Sequence, residues 1–294
     1  MVKKNKTGQY ILFSVLLLFT VICFAPVILV LIISLSADSS LALNGYSFFP
    51  SAFSLDGWLY VWGMKADLLQ AYKITIIRTF VATAGTLLVE SMTAYAISRS
   101  NFLLRGFVTK MMLFATLFSG SMLSSYVVNT TMYHLKDTFW ILIIPSVGMM
   151  HIIMMRTYIK GTISDALVES SKIDGASDFR IFFQIILPLM KPSLAAVGFM
   201  TAVNKWNDWT TADLYITNRS LKPLQNYLMD IENKISALNA EENAGLLEML
   251  GESGVPADST RMALLFAVLG PIMIVYPFFQ KYFVKGLTVG SIKG

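Results

Sequence analysis

Six apolar runs constrain the fold of this sequence more than any other feature, because each is long enough to cross a lipid bilayer. A helical crossing needs about 20 mostly apolar residues, and a helix satisfies its own backbone polar groups where no water is available. The runs extend approximately from Tyr10 to Leu35, Tyr72 to Ile97, Phe107 to Thr131, Thr138 to Met155, Pro192 to Tyr215 and Met262 to Phe283. This pattern predicts an all-α integral membrane protein with six transmembrane helices.

The composition agrees with a membrane protein and argues against two other classes. Of 294 residues, 55% are hydrophobic and only 14% are charged. The net charge of +5 is spread over the ends of the apolar runs, which is typical of membrane flanks rather than of a nucleic-acid surface. Cys23 is the single cysteine, and the two histidines, His134 and His151, lie far apart in the sequence. We therefore expect no disulfide within the chain and no metal or cofactor bound to it.

The distribution of Lys and Arg predicts the orientation of the runs. Positive residues favour the cytoplasmic side of short loops. They gather before the first run, after the second at Arg99 and Arg105, in the segment 156–191 and at the C-terminal end, whereas the segments 36–71 and 218–260 fall on the opposite side. We expect a multi-pass protein of the cell membrane with both termini in the cytoplasm. The first run is also longer than the 7–15 apolar residues expected of a cleaved signal peptide.

The long cytoplasmic segment has a local pattern of its own. Ser164 is a suitable N-cap for a short amphipathic helix, and Asp174-Gly175 is typical of a turn that ends it. Ser177 is placed to cap a second helix, and Pro188 with Pro192 predicts a break before the next apolar run. The segment is predicted to form a helix–turn–helix at the membrane surface.

The same segment resembles the EAA loop of ABC importer permeases. Glu169-Ser170-Ser171 is followed by Gly175 six residues after the glutamate, and then by Ile185, Leu187 and Pro188 in the register of that family. The two alanines of the family motif are serines here, which are nearly as small. The resemblance implies the type I ABC importer fold and a coupling helix that docks on an ATPase. The docking residues that it implies are Glu169, Ser170, Ser171, Asp174, Gly175 and Ala176.

Other parts of the chain resemble the carbohydrate branch of these permeases. They are Ile173 to Ser177, Trp206-Asn207-Asp208 and the ending Tyr276 to Gly290, which are similar to the maltose-type second permease and to the permeases named for lipoproteins and aldouronates. The resemblance implies import of a sugar or oligosaccharide, possibly containing uronate. It also implies a region 1–71 with the first helix, a core 72–284 with coupling loop 156–191 and external loop 218–260, and a cytoplasmic tail 285–294.

The partners follow from the same resemblance. The sequence contains no G-x-x-x-x-G-K-[ST] phosphate loop, so we expect ATP and Mg to be bound by a partner ATPase and this chain not to be an enzyme. The resemblance implies a second homologous permease, two ATPase subunits, an extracytoplasmic solute-binding protein and contact with membrane lipid, but no nucleic acid.

Polar residues near the end of the fifth run are candidates for the substrate path. Amides can bond sugar hydroxyl groups and indole rings can stack on sugar C–H surfaces, although tryptophans at a membrane interface are commonly only anchors. The candidates are Asn204, Trp206, Asn207, Asp208 and Trp209.

Glu90 is an ionisable residue inside the second run, and such groups are functional candidates by default. We expect it to face a protein partner rather than to relay protons, and Arg78 lies too far along the same helix to pair with it. Two other classes stay open: an ion-coupled secondary transporter, which Glu90 alone supports, and a membrane-embedded hydrolase, for which no convincing Ser/His/Asp set occurs.

Overall fold

The computed structural model describes residues 6–118, 120–238, 258–271 and 273. Within these ranges the regular structure is helical, and the β pairing is limited to an isolated bridge between Ser36 and Phe53. The predicted all-α class is confirmed. The external loop over 239–257, most of the sixth apolar run and the tail 285–294 lie outside the described residues.

Fifteen α-helices are described, together with π-helical turns at Val128–Met132 and Phe182–Ile186 and a 3-10 turn at Arg219–Leu221. The α-helices are α1 (Lys6–Ser34), α2 (Asp38–Asn44), α3 (Asp56–Gly63), α4 (Lys65–Ser98), α5 (Arg105–Leu117), α6 (Met122–Val127), α7 (Phe139–Ile143), α8 (Met149–Thr162), α9 (Asp165–Ile173), α10 (Asp178–Ile181), α11 (Leu187–Leu189), α12 (Lys191–Asn207), α13 (Thr210–Tyr215), α14 (Leu224–Leu238) and α15 (258–271).

The helices account for some of the predicted membrane crossings directly. Gly8–Ser34 and Lys65–Ser98 are each long and apolar enough to cross a bilayer. Two bent pairs pass the same test together: Arg105–Leu117 with Met122–Met132, bent by 112°, and Asp178–Leu189 with Lys191–Asn207, bent by 80°. By length and composition, the described residues thus contain two helices able to cross a bilayer, or up to four if each bent pair is one span. The number six stays a prediction.

The fourth apolar run departs from the expected continuous helix. Helix α7 ends at Ile143 and α8 begins at Met149, so the expectation of one helix from Thr138 to Met155 is wrong in its middle. Pro145 explains the break, because a proline pushes the preceding residue out of the helical region. Ile144 accordingly has φ −54° and ψ 127°. The apolar character of the run continues through the break, which is why hydropathy does not reveal it.

The chain divides into two compact units, of which the first comprises Met1–Leu68 and Tyr227–Pro271. In this unit the Asp38 carboxylate accepts hydrogen bonds from the Ser259 amide (3.1 Å) and hydroxyl (2.9 Å). The backbone of Ser259 approaches Gly57 so closely that a Cβ there would lie 2.8 Å from it. Trp58 donates to the Ser34 hydroxyl at 3.2 Å. These contacts join α15 to the segment that follows α1.

The second unit, Leu69–Asn226 with Ile272–Gly294, contains the candidate sites. One apolar cluster joins α4, α8, α9, α10 and α12, and includes Tyr95, Met155, Val168, Phe182 and Val197. A second cluster joins α4, α7 and α13, and includes Ile74, Leu142 and Tyr215. Both clusters therefore include buried residues of α4.

Candidate functional site

The predicted helix–turn–helix lies where the sequence placed it, in α9 and α10. Helix α9 buries Val168, which is 4% exposed, while Glu169 and Ser170 beside it are exposed. The hydroxyl groups of Ser170 and Ser171 donate to the Leu167 carbonyl at 3.1 and 2.7 Å. Because both hydroxyls bond back to their own helix, the two serines present small surfaces where the family motif has alanines.

Ser164 stands at the N-cap position of α9, as predicted. Ser164 has the extended backbone expected of an N-cap, but its side chain makes no capping hydrogen bond. The acidic group of the first turn, Asp165, instead pairs with Arg99 at 2.8 Å. This ion pair ties the start of α9 to the end of α4. Sequence reasoning named Arg99 only as a positive flank of the second run and did not identify this pairing, because the partner lies 66 residues away.

The turn after α9 has the backbone that the Asp174-Gly175 prediction required. Gly175 has φ +79°, and its amide donates to the Lys172 carbonyl at 3.0 Å, while the Ala176 amide donates to the Ser171 carbonyl at 3.0 Å. This pair of bonds is the Schellman motif, which closes a helix through a left-handed residue. A Cβ at Gly175 would meet nothing within 4 Å, so glycine is required by the backbone angle and not by space.

The second helix of the loop is capped as predicted. The Ser177 hydroxyl accepts from the Arg180 amide at 3.3 Å. Lys172 and Asp178 form an ion pair of 2.9 Å across the turn. The helical segment ends at Leu189, one residue after Pro188, and an 80° bend leads into α12. These helices and their turn lie within the predicted segment 156–191, which keeps the name coupling loop below.

The coupling loop has one side in the core and one side free. Ile181 and Phe182 are buried, and the Phe182 ring packs on Tyr95 of α4 at 5.7 Å between centroids. On the other side Ile173 is 87% exposed and Phe179 is 67% exposed. A partner subunit can reach these exposed residues.

A second set of contacts holds the end of α12 through Arg78. Arg78 is 1% exposed, and its Nη2 donates to the carbonyl oxygens of Lys205 (2.7 Å) and Asp208 (2.6 Å). These carbonyls lie at the helix C-terminus, where a cation is favoured by unsatisfied acceptors and the helix dipole. The Asp208 carboxylate in turn accepts from the Thr211 amide at 3.0 Å and the Thr210 hydroxyl at 3.1 Å.

The five substrate-path candidates are thus placed differently from one another. Trp206 is 8% exposed and Asp208 caps α13. Asn207 accepts a hydrogen bond from Gln225 at 3.0 Å, and the Trp209 carbonyl accepts one from Asn226 at 3.1 Å. Asn204 is exposed. Trp206 and Asp208 are therefore occupied by packing and capping, whereas Asn204 and Asn207 have side chains at the surface.

Glu90 lies at the break in the fourth run. It is fully buried, and its Oε1 accepts from the Gly148 amide at 2.7 Å and lies 3.2 Å from His151 Nδ1. Its Oε2 has no hydrogen-bond partner among the described residues. The carboxylate therefore satisfies the N-terminus of α8. At the other side of the break the Lys205 ammonium donates to the Ile144 carbonyl at 3.3 Å, at the C-terminus of α7.

Asp137 is a further residue that the sequence did not single out. It has a positive φ of 55°, and its carboxylate accepts from the amides of Thr217 (2.6 Å) and Asn218 (2.8 Å) and from the Thr217 hydroxyl. The bonds join two loops 80 residues apart. The sequence of either loop alone does not predict this contact.

The comparisons with known proteins complete the description. No family model matches the chain. The chain is 32% identical, over 99% of its length and all of the relative's, to the polygalacturonan/rhamnogalacturonan transport system permease protein YtcP of Bacillus subtilis (strain 168). It is 32% identical to protein LplC of the same organism, over 93% of this chain and 90% of LplC. This chain belongs to the permease subunits of sugar ABC transport systems.

A solved structure agrees with this membership of the permease family. The crystal structure of a bacterial ABC transporter involved in the import of the acidic polysaccharide alginate matches with a TM-score of 0.78 and 26% identity, over 96% of this chain and 99% of that one. The family resemblance read from the sequence is confirmed. The permease is a multi-pass membrane protein and not itself an enzyme, because ATP hydrolysis in this family belongs to separate ATPase subunits. The ion-coupled and hydrolase alternatives are set aside.

Proposed function

We propose that this permease forms one half of the membrane pathway of an ABC importer for a sugar or oligosaccharide, and that its coupling loop docks on an ATPase subunit. The observation that carries the proposal is the division of the loop into two sides. Val168, Ile181 and Phe182 lie in the core, whereas Glu169 and Ile173 face outward. A partner that pulls on the outer side therefore moves α4 and α8 as well.

The packing supports transmission of force rather than local bending. The Schellman turn at Gly175 and the Lys172–Asp178 ion pair fix the two loop helices to each other. Arg99 fixes them to α4 through Asp165 and also lies 5.3 Å from the centre of the Tyr95 ring. Packed cores shift between discrete arrangements instead of deforming continuously. A closing ATPase pair, with ATP and Mg bound there, would rock this subunit against a second permease.

The topology belongs to the proposal too. Six crossings with both termini in the cytoplasm place the coupling loop inside the cell and the segment 218–260 outside, where it would meet a solute-binding protein. In this arrangement 1–71 carries the first helix, 72–284 forms the transport core and 285–294 is a cytoplasmic tail. The positive residues of 156–191 support this orientation.

The class of cargo rests on the relatives. Names of related permeases include polygalacturonan, rhamnogalacturonan and arabinooligosaccharides as transported compounds. Of the five substrate-path candidates, we propose Asn204 and Asn207 as the groups that contact sugar hydroxyls, since their side chains are exposed. Trp206, Asp208 and Trp209 would hold the end of α12 in position.

The test is ATP hydrolysis by the reconstituted complex of this permease with its partner permease, ATPase and binding protein. Sugar-loaded binding protein should stimulate hydrolysis, and Glu169→Lys or Gly175→Pro should abolish the stimulation while the complex still assembles. Ser164→Ala is the matched control, because this loop side chain makes no capping bond. Full stimulation in both loop variants would mean that the docking surface lies elsewhere.

A further inference from the structure

The break in the fourth run exposes peptide groups at a depth where lipid cannot accept them. Residues 144–147 are exposed, and the break lies in the middle of the predicted crossing. Irregular backbone is tolerated at membrane depth only where protein covers it or where it lines a water-filled cavity. The side of the permease that carries the break therefore faces a cavity or a partner subunit and not the hydrocarbon.

Lys205 adds a positive charge on this side. Its ammonium lies 3.3 Å from the Ile144 carbonyl, which takes one of its three donors. No carboxylate among the described residues pairs with Lys205 within 4.0 Å. Asp208 is close in sequence, but its carboxylate is bonded to Thr210 and Thr211.

Two cations and two carboxylates lie around the break. The buried guanidinium of Arg78 donates to the carbonyl of Lys205 itself, and the carboxylates are those of Asp208 and Glu90. Glu90 is fully buried and already accepts from the Gly148 amide, so Lys205 is the charge on the exposed side of the break. Lys205 also lies within the predicted fifth crossing, Pro192 to Tyr215. Helix α12 begins at Lys191, and about 14 residues of helix place Lys205 roughly 21 Å further, within a hydrocarbon layer of about 30 Å. An unpaired charge at such depth marks a ligand path by default.

We propose that Lys205 and the unwound segment 144–147 bind an anionic oligosaccharide during translocation, with the Lys205 ammonium pairing with a sugar carboxylate. The proposal rests on the importer function above and deepens it by naming the charge of the cargo. The two free N–H donors of Lys205 suit the two oxygens of a carboxylate, and the exposed peptide groups suit the neighbouring sugar hydroxyls. Arg78 takes no direct part, since its side chain is only 1% exposed and its Nη2 donates to backbone carbonyls.

The experiment measures uptake into proteoliposomes that contain the complete importer. The two probes are an oligogalacturonate and the same oligomer with its carboxylates methyl-esterified, so that the charge differs while the sugar chain is unchanged. Lys205→Gln should lower the maximal rate for the anionic oligomer about tenfold, because a charge-assisted bond is lost, and should leave the rate for the ester unchanged. Lys205→Arg should restore most of the anionic rate.

Lys110→Gln is the matched control, because Lys110 is exposed on α5, outside both the coupling loop and the break. It should change neither rate. Equal loss for both oligomers in Lys205→Gln would assign Lys205 a structural role and overturn the proposal, as would no loss for either, or a wild-type importer that takes up only neutral sugars. A complete complex that takes up no sugar of any kind would instead contradict the importer function.

Discussion

The coupling loop and the broken fourth run both interrupt helices, but they satisfy the interrupted ends in different ways. The loop closes its helix ends with neighbours in sequence, through the Gly175 turn and the Ser177 cap. At the break, distant charged side chains satisfy the helix ends: Glu90 of α4 accepts from the amide before α8, and Lys205 of α12 donates to the carbonyl after α7. The difference teaches that the loop is self-contained in the closing of its helix ends, whereas the broken run depends on how α4 and α12 are placed.

The largest effect should come from Arg78. Because Arg78→Met leaves the terminal carbonyls of α12 without their buried donor, it should destabilise the complex by about 3 kcal/mol, within the range for a lost charged network. Thermal unfolding in detergent measures this loss. Arg78→Lys should recover part of it through a single ammonium, and a variant as stable as the wild type would show that the interior does not depend on α4.

Glu90 tests the contact that satisfies the start of α8 at the break. Glu90→Gln keeps an oxygen that can accept from the Gly148 amide, so it should cost about 1 kcal/mol, whereas Glu90→Ala removes the acceptor and should cost about 2 kcal/mol or more. Thermal unfolding of both variants measures the difference. Equal losses would mean that the hydrogen bond to Gly148 contributes nothing to the break.

The sequence predicted the coupling loop well and the interior poorly, for physical reasons. The turn at Gly175 and the cap at Ser177 depend on residue type at one position, which a sequence displays directly. The contacts of Glu90 with Gly148 and of Arg78 with Asp208 join residues 58 and 130 positions apart, so only the fold brings them together. Pro145 was a visible local sign of the break, but the high hydropathy around it favoured a continuous helix.

Gly175 sharpens the claim that the loop is self-contained. Gly175→Ala should cost about 1 kcal/mol, because φ of +79° is unfavourable for any residue with a Cβ and no neighbour adds a clash. The loss should be confined to the loop, so hydrogen exchange should rise in α9 and α10 and stay unchanged in α7. Faster exchange throughout α7 would contradict the separation of the two regions.

The smallest effect on stability is expected at Asp137, which joins the loop before α7 to the loop after α13. The Thr217 hydroxyl and the amides of Asn218 and Thr217 hold the pKa of Asp137 below its ordinary value. The stabilisation from these bonds is therefore present above the ordinary Asp pKa of about 3.9 and is lost as the pH falls through the lowered value. Hydrogen exchange at Thr217 and Asn218, corrected for intrinsic rates, should show protection that falls in acid. Asp137→Asn should remove this pH dependence, and an unchanged profile would assign it to another group.

The measurement that tests the central claim most directly is a cross-link between the coupling loop and the ATPase. Cys23 is the chain's single cysteine, so Cys23→Ala gives a background for one new thiol. In the assembled complex Ser170→Cys should cross-link to the ATPase, and Ser47→Cys, exposed on the predicted outer side, should not. A cross-link from position 47 and none from position 170 would contradict both the docking surface and the orientation of the permease.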